Sequence, residues 1–255
     1  MAGGRTPREA GWSTTTGTGP DFAPGDRIGP EPARFVPDAG RVRPHRLGRM
    51  RRALLVIDVQ ESFRARPASW EAMSDQRIHE PVNRLVRLAR ARGDLVVWVL
   101  HTEPGTGNAF DPERGHVRPL AGVEAPLEAE PVLRKTAHNA FTTTGLQQLL
   151  VREGAGELVV CGIRTEQCVE TTTRVGSDLG YEVVFVPDAT TTDGAGGLPP
   201  EVIIERTVAV LRDRFARIAT VAELEAERGT GSAEARVAAG AADPVGAAEA
   251  VASQM

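Results

Sequence analysis

The sequence predicts a three-layer α/β/α fold of the Rossmann-like class, with a mostly parallel central sheet. Short runs of aliphatic and β-branched residues alternate with segments of helical periodicity, as they do in consecutive βαβ units. The runs are continuously apolar, which is typical of strands buried on both faces. The alternating region covers residues 50–227, a usual length for one domain. We therefore expect a single α/β domain with disordered termini.

The strands are predicted from these short apolar runs. The first run, ALLVI, follows the charged start MRR and leads directly into an aspartate. A short strand is also expected just before the only lysine of the chain. In sequence order, the predicted strands are residues 53–57, 95–100, 131–133, 158–161, 182–186 and 216–219.

The helices are predicted from apolar residues at helical spacing. The clearest case is the segment 78–92, which Gly93 ends as a C-terminal glycine should. Trp70 is expected to begin a helix before it. Further helices are predicted at residues 145–153, 166–179 and 201–214.

The two ends of the chain differ in composition from this region. Residues 1–49 are rich in Gly, Pro, Arg and Thr and show no apolar periodicity, so we expect them to be a disordered extension. Met50 would suit a natural start, and a chain beginning there that lost folding or activity would refute this hypothesis. Residues 228–255 are rich in Ala, Gly and Glu and are expected to form a flexible or weakly helical tail.

Charge and composition disfavour several classes of function. The net charge is −4 and the pI about 5.8, which indicates no nucleic-acid partner. No apolar run reaches the roughly 18 to 20 residues of a membrane span, and no apolar leader begins the chain. The expected location is therefore the cytoplasm. The two cysteines cannot form a disulfide framework.

Three reactive side chains fall where predicted strands end. Of 30 lysine and arginine residues only Lys135 is a lysine, a compact cation whose pKa responds to burial more readily than that of arginine. Lys135 follows the run PVLR, Asp58 follows ALLVI, and Cys168 lies shortly after LVVCG. In an open parallel sheet, ligands bind outside the carboxyl ends of the strands. Alone, Lys135 would be a solvated charge and Asp58 a helix cap; together they predict a reactive site.

The two cysteines are expected to differ. Cys168 lies near the predicted start of a helix, where the positive end of the dipole and a nearby ammonium favour the thiolate. Cys161 lies inside an apolar strand and is expected to be a small core residue.

Four segments carry a resemblance to a known family. VIDVQESF, LRKTAHNAF, CGIRTEQCVETTTR and VPDATTT occur in this order within residues 50–225. The chain resembles the isochorismatase-like cysteine hydrolases, which include nicotinamidases, carbamoylsarcosine amidases, ureidoacrylate amidases and streptothricin hydrolases. The resemblance implies a catalytic triad of Asp58, Lys135 and Cys168. It also implies a cis peptide between Ile163 and Arg164, an oxyanion hole of the backbone N–H groups of Arg164 and Cys168, and a homodimer or homotetramer.

The resemblance further implies hydrolysis of a C–N bond in a small molecule, such as an amide, carbamoyl group or lactam, through a thioester. Two alternatives stay open: a vinyl ether hydrolase of the isochorismatase type, and a catalytically idle binding or scaffold protein. A dinucleotide-binding domain is disfavoured, since DVQESF stands where G-x-G-x-x-G would follow the first strand.

No cofactor and no metal are expected. Metal-dependent nicotinamidases of the family carry an Asp-x-His pair after the second strand, whereas here Asp111 is followed by Pro112 and Glu113. His101, Asp111 and His116 have irregular spacing, and we interpret them as solvated loop residues.

Four residues are assigned to substrate binding: Gln60, Phe63, Arg164 and His138. Each has a structural alternative. Phe63 could pack in the core, Arg164 could pair with Glu166 or with a partner subunit, and His138 could lie in a loop. The hydroxyls of Thr190 to Thr192 are further candidates near the pocket.

Overall fold

The computed structural model describes residues 51–227. The expected extension 1–49, the suggested start at Met50 and the expected tail 228–255 lie outside the described residues.

Within residues 51–227, six strands form one sheet in the order β3-β2-β1-β4-β5-β6, and every pairing between neighbouring strands is parallel. The predicted parallel α/β fold is therefore confirmed. The order reverses between β1 and β4, which is the switch point where α/β sheets bind ligands. The strands are β1 (Arg51–Ile57), β2 (Leu95–His101), β3 (Val132–Lys135), β4 (Ala155–Ile163), β5 (Glu182–Thr191) and β6 (Arg217–Ile218).

Six α-helices connect the strands, together with a 3₁₀ turn at Pro112–Arg114 and a π-helical turn at Thr165–Val169. Residues 221–227 are also helical. No helix of the described segment 51–227 is long and apolar enough to cross a membrane. The helices are α1 (Glu61–Arg64), α2 (Pro67–Glu71), α3 (His79–Arg92), α4 (Leu146–Arg152), α5 (Glu170–Asp178) and α6 (Pro200–Leu211).

Two apolar cores cover the two faces of the sheet and give the predicted three layers. The alternation of β1 divides its side chains, since Leu54 and Val56 enter one core and Leu55 and Ile57 the other. Helix α3 packs into the first core through its predicted apolar face, and helices α4 and α6 contribute to the second. Both faces of the sheet are thus covered, as a parallel sheet requires.

The differences from the predicted elements have local causes. Trp70 does not begin a helix: it lies near the end of α2 and packs against the first core. The short helix α1 was not predicted because four residues are too few to show a helical period. The strand predicted at 182–186 continues to Thr191, with a register shift that carries it past Pro187 beside the end of β4.

Candidate active site

Asp58 follows β1 directly and lies completely buried at the carboxyl edge of the sheet. Its φ of 53° is left-handed, a conformation that aspartate tolerates better than most residues. Its backbone N–H donates to the carbonyl oxygen of Val99 at 2.8 Å, which ties the turn to β2. Burial raises the pKa of the Asp58 carboxyl, and the charge of Lys135 opposes this rise. The carboxyl is therefore a stronger base than an aspartate in water.

Lys135 is the last residue of β3, and its side chain is also completely buried. Its Nζ lies 2.7 Å from Oδ2 of Asp58 and donates to Sγ of Cys168 at 3.2 Å. It also donates to the carbonyl oxygen of Ala137 at 3.2 Å. A single ammonium thus contacts both other members of the predicted triad.

Cys168 lies in the π-helical turn between β4 and α5, with 7% of its surface exposed. The expectation that its thiolate is favoured at rest is wrong. Burial and the charge of Asp58 raise the pKa of the thiol to about 12, although Lys135 opposes the shift. The turn also precedes the first residue of α5, Glu170, so Cys168 lies outside the regular helix. The resting site holds a thiol, and a base must take its proton when substrate reacts.

The backbone before this turn has the expected unusual geometry. The peptide bond between Ile163 and Arg164 is cis. The side chain of Arg164 pairs with Asp193, with Nη2 2.8 Å from Oδ2, and donates to Oγ of Ser69 at 3.0 Å. Its guanidinium lies 6.0 Å from the ring centroid of Phe63. The partner of Arg164 is therefore Asp193, in place of the Glu166 or partner-subunit residue considered from sequence.

The other predicted substrate-binding residues differ in their surroundings. Gln60 is buried, and its amide donates to the carbonyl oxygen of His101 at 3.0 Å and accepts from the N–H of His101 at 2.7 Å. Phe63 packs edge-on against Phe110, with ring centroids 5.1 Å apart. His138 is exposed in the segment between β3 and α4. Gln60 therefore serves the scaffold, and His138 is not brought to the triad by any contact among the described residues.

Thr190 and Thr191 at the end of β5 and Thr192 just after it are engaged in structural hydrogen bonds. Thr165 donates to Oγ1 of Thr190 at 2.9 Å. The hydroxyl of Thr191 lies 3.0 Å from that of Ser74, and the hydroxyl of Thr192 accepts from the N–H of Gly194 at 3.2 Å. These hydrogen bonds connect the end of β5 to the turn that carries Cys168 and to the segment before α3.

The interpretation of His101 and Asp111 as solvated loop residues is wrong, because His101 ends β2 with its side chain mostly buried and Asp111 is buried as well. His101 instead joins the site. Its Nδ1 lies 3.4 Å from Nζ of Lys135, and in the pairing of β2 with β3 it stands opposite Lys135. Burial lowers the pKa of its imidazole, and the charge of Lys135 lowers it further. The available signal was its position at the end of a predicted strand, next to the edge that holds Asp58.

The other candidate metal ligands have separate roles. The carboxylate of Asp111 accepts from the N–H groups of Gly107 and Glu113 at 2.8 and 3.1 Å, and so caps the 3₁₀ turn. His116 is half-buried near that turn. Within residues 51–227, no group of three or more His, Cys, Asp or Glu side chains is arranged to hold a metal ion.

A parallel α/β sheet with a carboxylate, an ammonium and a thiol in contact at its switch point is an arrangement suited to hydrolytic enzymes. The chain belongs to the isochorismatase family, because the family model described as Isochorismatase domain matches residues 52–223. It is therefore an isochorismatase-family hydrolase.

Two curated relatives and one solved structure illustrate the similarity. Streptothricin hydrolase from Streptomyces noursei is 36% identical over 176 residues, which cover 66% of this chain and 63% of that protein. The chain thus spans less than two thirds of that relative. Ureidoacrylate amidohydrolase RutB from Klebsiella pneumoniae is 28% identical over 170 residues, covering 54% of this chain and 72% of that protein. The crystal structure of an isochorismatase from Pseudomonas putida is 32% identical with a TM-score of 0.61, covering 68% of this chain and 89% of the other.

Proposed function

We propose that this protein hydrolyses a C–N bond of a small molecule, an amide, carbamoyl group or lactam, through a thioester on Cys168. The observation that carries the proposal is the position of the Lys135 ammonium, 2.7 Å from the carboxylate of Asp58 and 3.2 Å from Sγ of Cys168. All three groups are buried, so their interactions are weakly screened by water.

The first step is activation of the thiol by Asp58. The carboxylate takes the proton of Cys168, and the sulfur attacks the carbonyl carbon of the substrate as the proton leaves. Because burial raises the pKa of the thiol to about 12, the thiolate exists only briefly, during attack. Lys135 lowers the cost of this transfer, since its charge stabilises a negative charge on either partner.

The second step is collapse of the tetrahedral intermediate. We assign its oxyanion to the backbone N–H groups of Arg164, which precedes the turn, and of Cys168, which lies within it. Loss of one such donor typically costs about 3 to 4 kcal/mol in the barrier. The C–N bond breaks, the leaving nitrogen takes the proton from Asp58, and the acyl group stays on sulfur as a thioester.

The third step returns the enzyme to its starting state. Asp58 takes a proton from water as the water oxygen attacks the thioester carbonyl. The C–S bond then breaks, the sulfur recovers its proton from Asp58, and a carboxylic acid or carbamic acid is released. No step requires a metal ion or a cofactor.

The relatives favour C–N hydrolysis. One is named an amidohydrolase, and the protein named streptothricin hydrolase has the higher identity of the two. A thiol nucleophile next to a base is suited to acyl transfer, whereas hydrolysis of a vinyl ether has no need of it. A homodimer or homotetramer without nucleic-acid or membrane partners is part of the same proposal.

The test combines a substrate screen with thiol labelling. A panel of small amides, carbamoyl compounds and lactams is incubated with the protein, with and without a chelator, and release of amine or ammonia is measured. We expect turnover of at least one class, unaffected by chelator and abolished when iodoacetamide has alkylated Cys168. Turnover that survives complete alkylation of Cys168 would refute the thioester route. An unreactive Cys168 with no turnover across the panel would favour the idle binding protein.

A further inference from the structure

A second layer of polar contacts lies behind the Lys135 ammonium. Nδ1 of His101 lies 3.4 Å from Nζ, and Nε2 of His101 lies 3.1 Å from Oε1 of Glu103. The other oxygen of Glu103 accepts from the side-chain amide of Asn108 at 2.5 Å. The contacts form a continuous chain from Asn108 to Lys135.

The chemistry of lysine fixes the direction of these hydrogen bonds. An ammonium has no lone pair to accept a proton from Nδ1, and a proton on Nδ1 would point at the positive charge. Nδ1 therefore faces Nζ with its lone pair, as the most distant of four acceptors that share three N–H groups. A carboxylate only accepts, so the ring proton sits on Nε2 and is donated to Glu103. These two bonds are compatible only with the neutral imidazole that is protonated on Nε2.

The backbone and the ring of His101 are also held in place by contacts with neighbouring residues. Gln60 bonds both the N–H and the carbonyl oxygen of His101, and the ring packs edge-on against Phe110 with centroids 5.5 Å apart. The side chain is 12% exposed. A ring fixed in this way presents its Nδ1 lone pair to Lys135 in one orientation.

We propose that His101 is a positioning residue for the thiol chemistry, a neutral acceptor that Glu103 orients and that keeps the Lys135 ammonium aimed at Asp58 and Cys168. This inference rests on the proposed function. A hydrogen-bond acceptor beside a buried ammonium restricts where its N–H groups point. Protonation of His101 would instead place a second positive charge 3.4 Å from the ammonium and repel it.

The first test determines the protonation of His101 by ¹⁵N NMR of its imidazole, assigned with the His101→Asn variant. The charged groups that act on the ring are Lys135, Asp58 and Glu103. We expect the neutral Nε2–H form at neutral pH, with a titration midpoint below the ordinary value of about 6.5. Glu103→Gln should lower the midpoint further, because the lost negative charge had favoured the imidazolium. An Nδ1–H form, or a midpoint that rises in Glu103→Gln, would overturn the assignment.

The second test asks whether the acceptor matters to the thiol. Asparagine and leucine have similar shapes, but only asparagine offers an acceptor, so His101→Asn and His101→Leu are compared for the rate of Cys168 alkylation by iodoacetamide. We expect His101→Leu to react about tenfold more slowly than His101→Asn. Removing one hydrogen-bond acceptor from a buried ammonium has an energetic cost of this magnitude. His79→Asn, at the start of α3, serves as the control and should keep the wild-type rate. Equal rates in the Asn and Leu variants would overturn the role.

The two proposals can fail separately. Alkylation and NMR need no substrate, so a panel without turnover refutes amide hydrolysis and leaves the His101 result standing. Turnover of an amide combined with equal alkylation rates in the two His101 variants refutes the positioning role alone.

Discussion

A Cβ atom on Gly162 would stand 1.9 Å from the carbonyl oxygen of Ile57. At Ile57, the residue before Asp58, the backbone of β4 therefore lies closer to the end of β1 than any side chain on β4 would allow. Gly162 also has a φ of 131°, a conformation that other residues rarely adopt. This close approach brings the segment that leads to Cys168 alongside the residue that supplies the base.

Replacement of Gly162 by alanine should severely destabilise the fold. The methyl group meets backbone, which cannot move aside as a flexible side chain would, and the positive φ adds about 1 to 2 kcal/mol of strain. Gly154→Ala is the matched control, because Gly154 has a φ of 65° but nothing within 4 Å of an added Cβ. In urea unfolding we expect a loss of several kcal/mol for Gly162→Ala and about 1 kcal/mol for Gly154→Ala. Equal losses would show that the close approach is unimportant.

Replacement of each cysteine by alanine should separate chemistry from packing. Cys168→Ala should abolish turnover and leave the far-UV circular dichroism unchanged, because the nucleophile is lost from an otherwise intact turn. Cys161 is fully buried in β4, so Cys161→Ala should keep turnover and lose about 1 kcal/mol of stability through the small cavity. Amine release and urea unfolding are measured for both. Turnover of Cys168→Ala at the wild-type rate would contradict the assignment of Cys168 as the nucleophile.

Lys135→Arg should abolish turnover although the charge is kept. The ammonium lies in a space with no exposed surface, and a guanidinium is larger, planar and rigid. Arg134→Lys, the reverse change at the exposed preceding position of β3, is the control and should have little effect. The rate of Cys168 alkylation should fall with turnover in Lys135→Arg, since the cation no longer reaches both partners. Wild-type activity in Lys135→Arg would remove the argument for a compact cation.

Stability should fall at high pH because both thiols are buried. The pKa of Cys168 rises from 9.0 to about 12, and burial raises that of Cys161 as well. Above pH 9.0 the unfolded chain releases protons that the folded chain keeps, so the free energy of unfolding decreases as pH rises, by about 1.4 kcal/mol per pH unit for each thiol. Well below pH 9.0 the two thiols stay protonated in both states, so they do not make the free energy of unfolding depend on pH. Urea unfolding at a series of pH values should give a shallower decline for Cys161→Ala, and an unchanged slope would contradict the burial effect.

The sheet was predictable because its strands are continuous apolar runs in the sequence. The proximity of the three reactive groups was predictable because each of them follows or ends a strand. Continuous apolar runs revealed all six strands, and Asp58, Lys135 and Cys168 each stand at or beyond the end of one of them. In a parallel sheet such positions share one edge, so their meeting requires no knowledge of side-chain packing.

The pairing of side chains within the site was beyond prediction, because it depends on contacts between distant segments. Nothing in the sequence links Arg164 to Asp193 and Ser69, or the ring of His101 to Glu103. The raised pKa of the Cys168 thiol has the same origin: a helix N-terminus is visible in sequence, whereas burial beside a carboxylate is visible only in three dimensions.

The triad is drawn from β1, β3 and the turn after β4, with β2 lying between β1 and β3. No two of its members are neighbours in the chain, so a piece of the domain that lacks β1 or β3 leaves either Asp58 or Lys135 without its counterpart. Such a piece would have to bury an unpaired ion, which is far costlier than leaving it in water. The reactive centre therefore requires β1, β2, β3 and β4 to be paired, and the reactivity of Cys168 is expected to report that this part of the sheet has assembled.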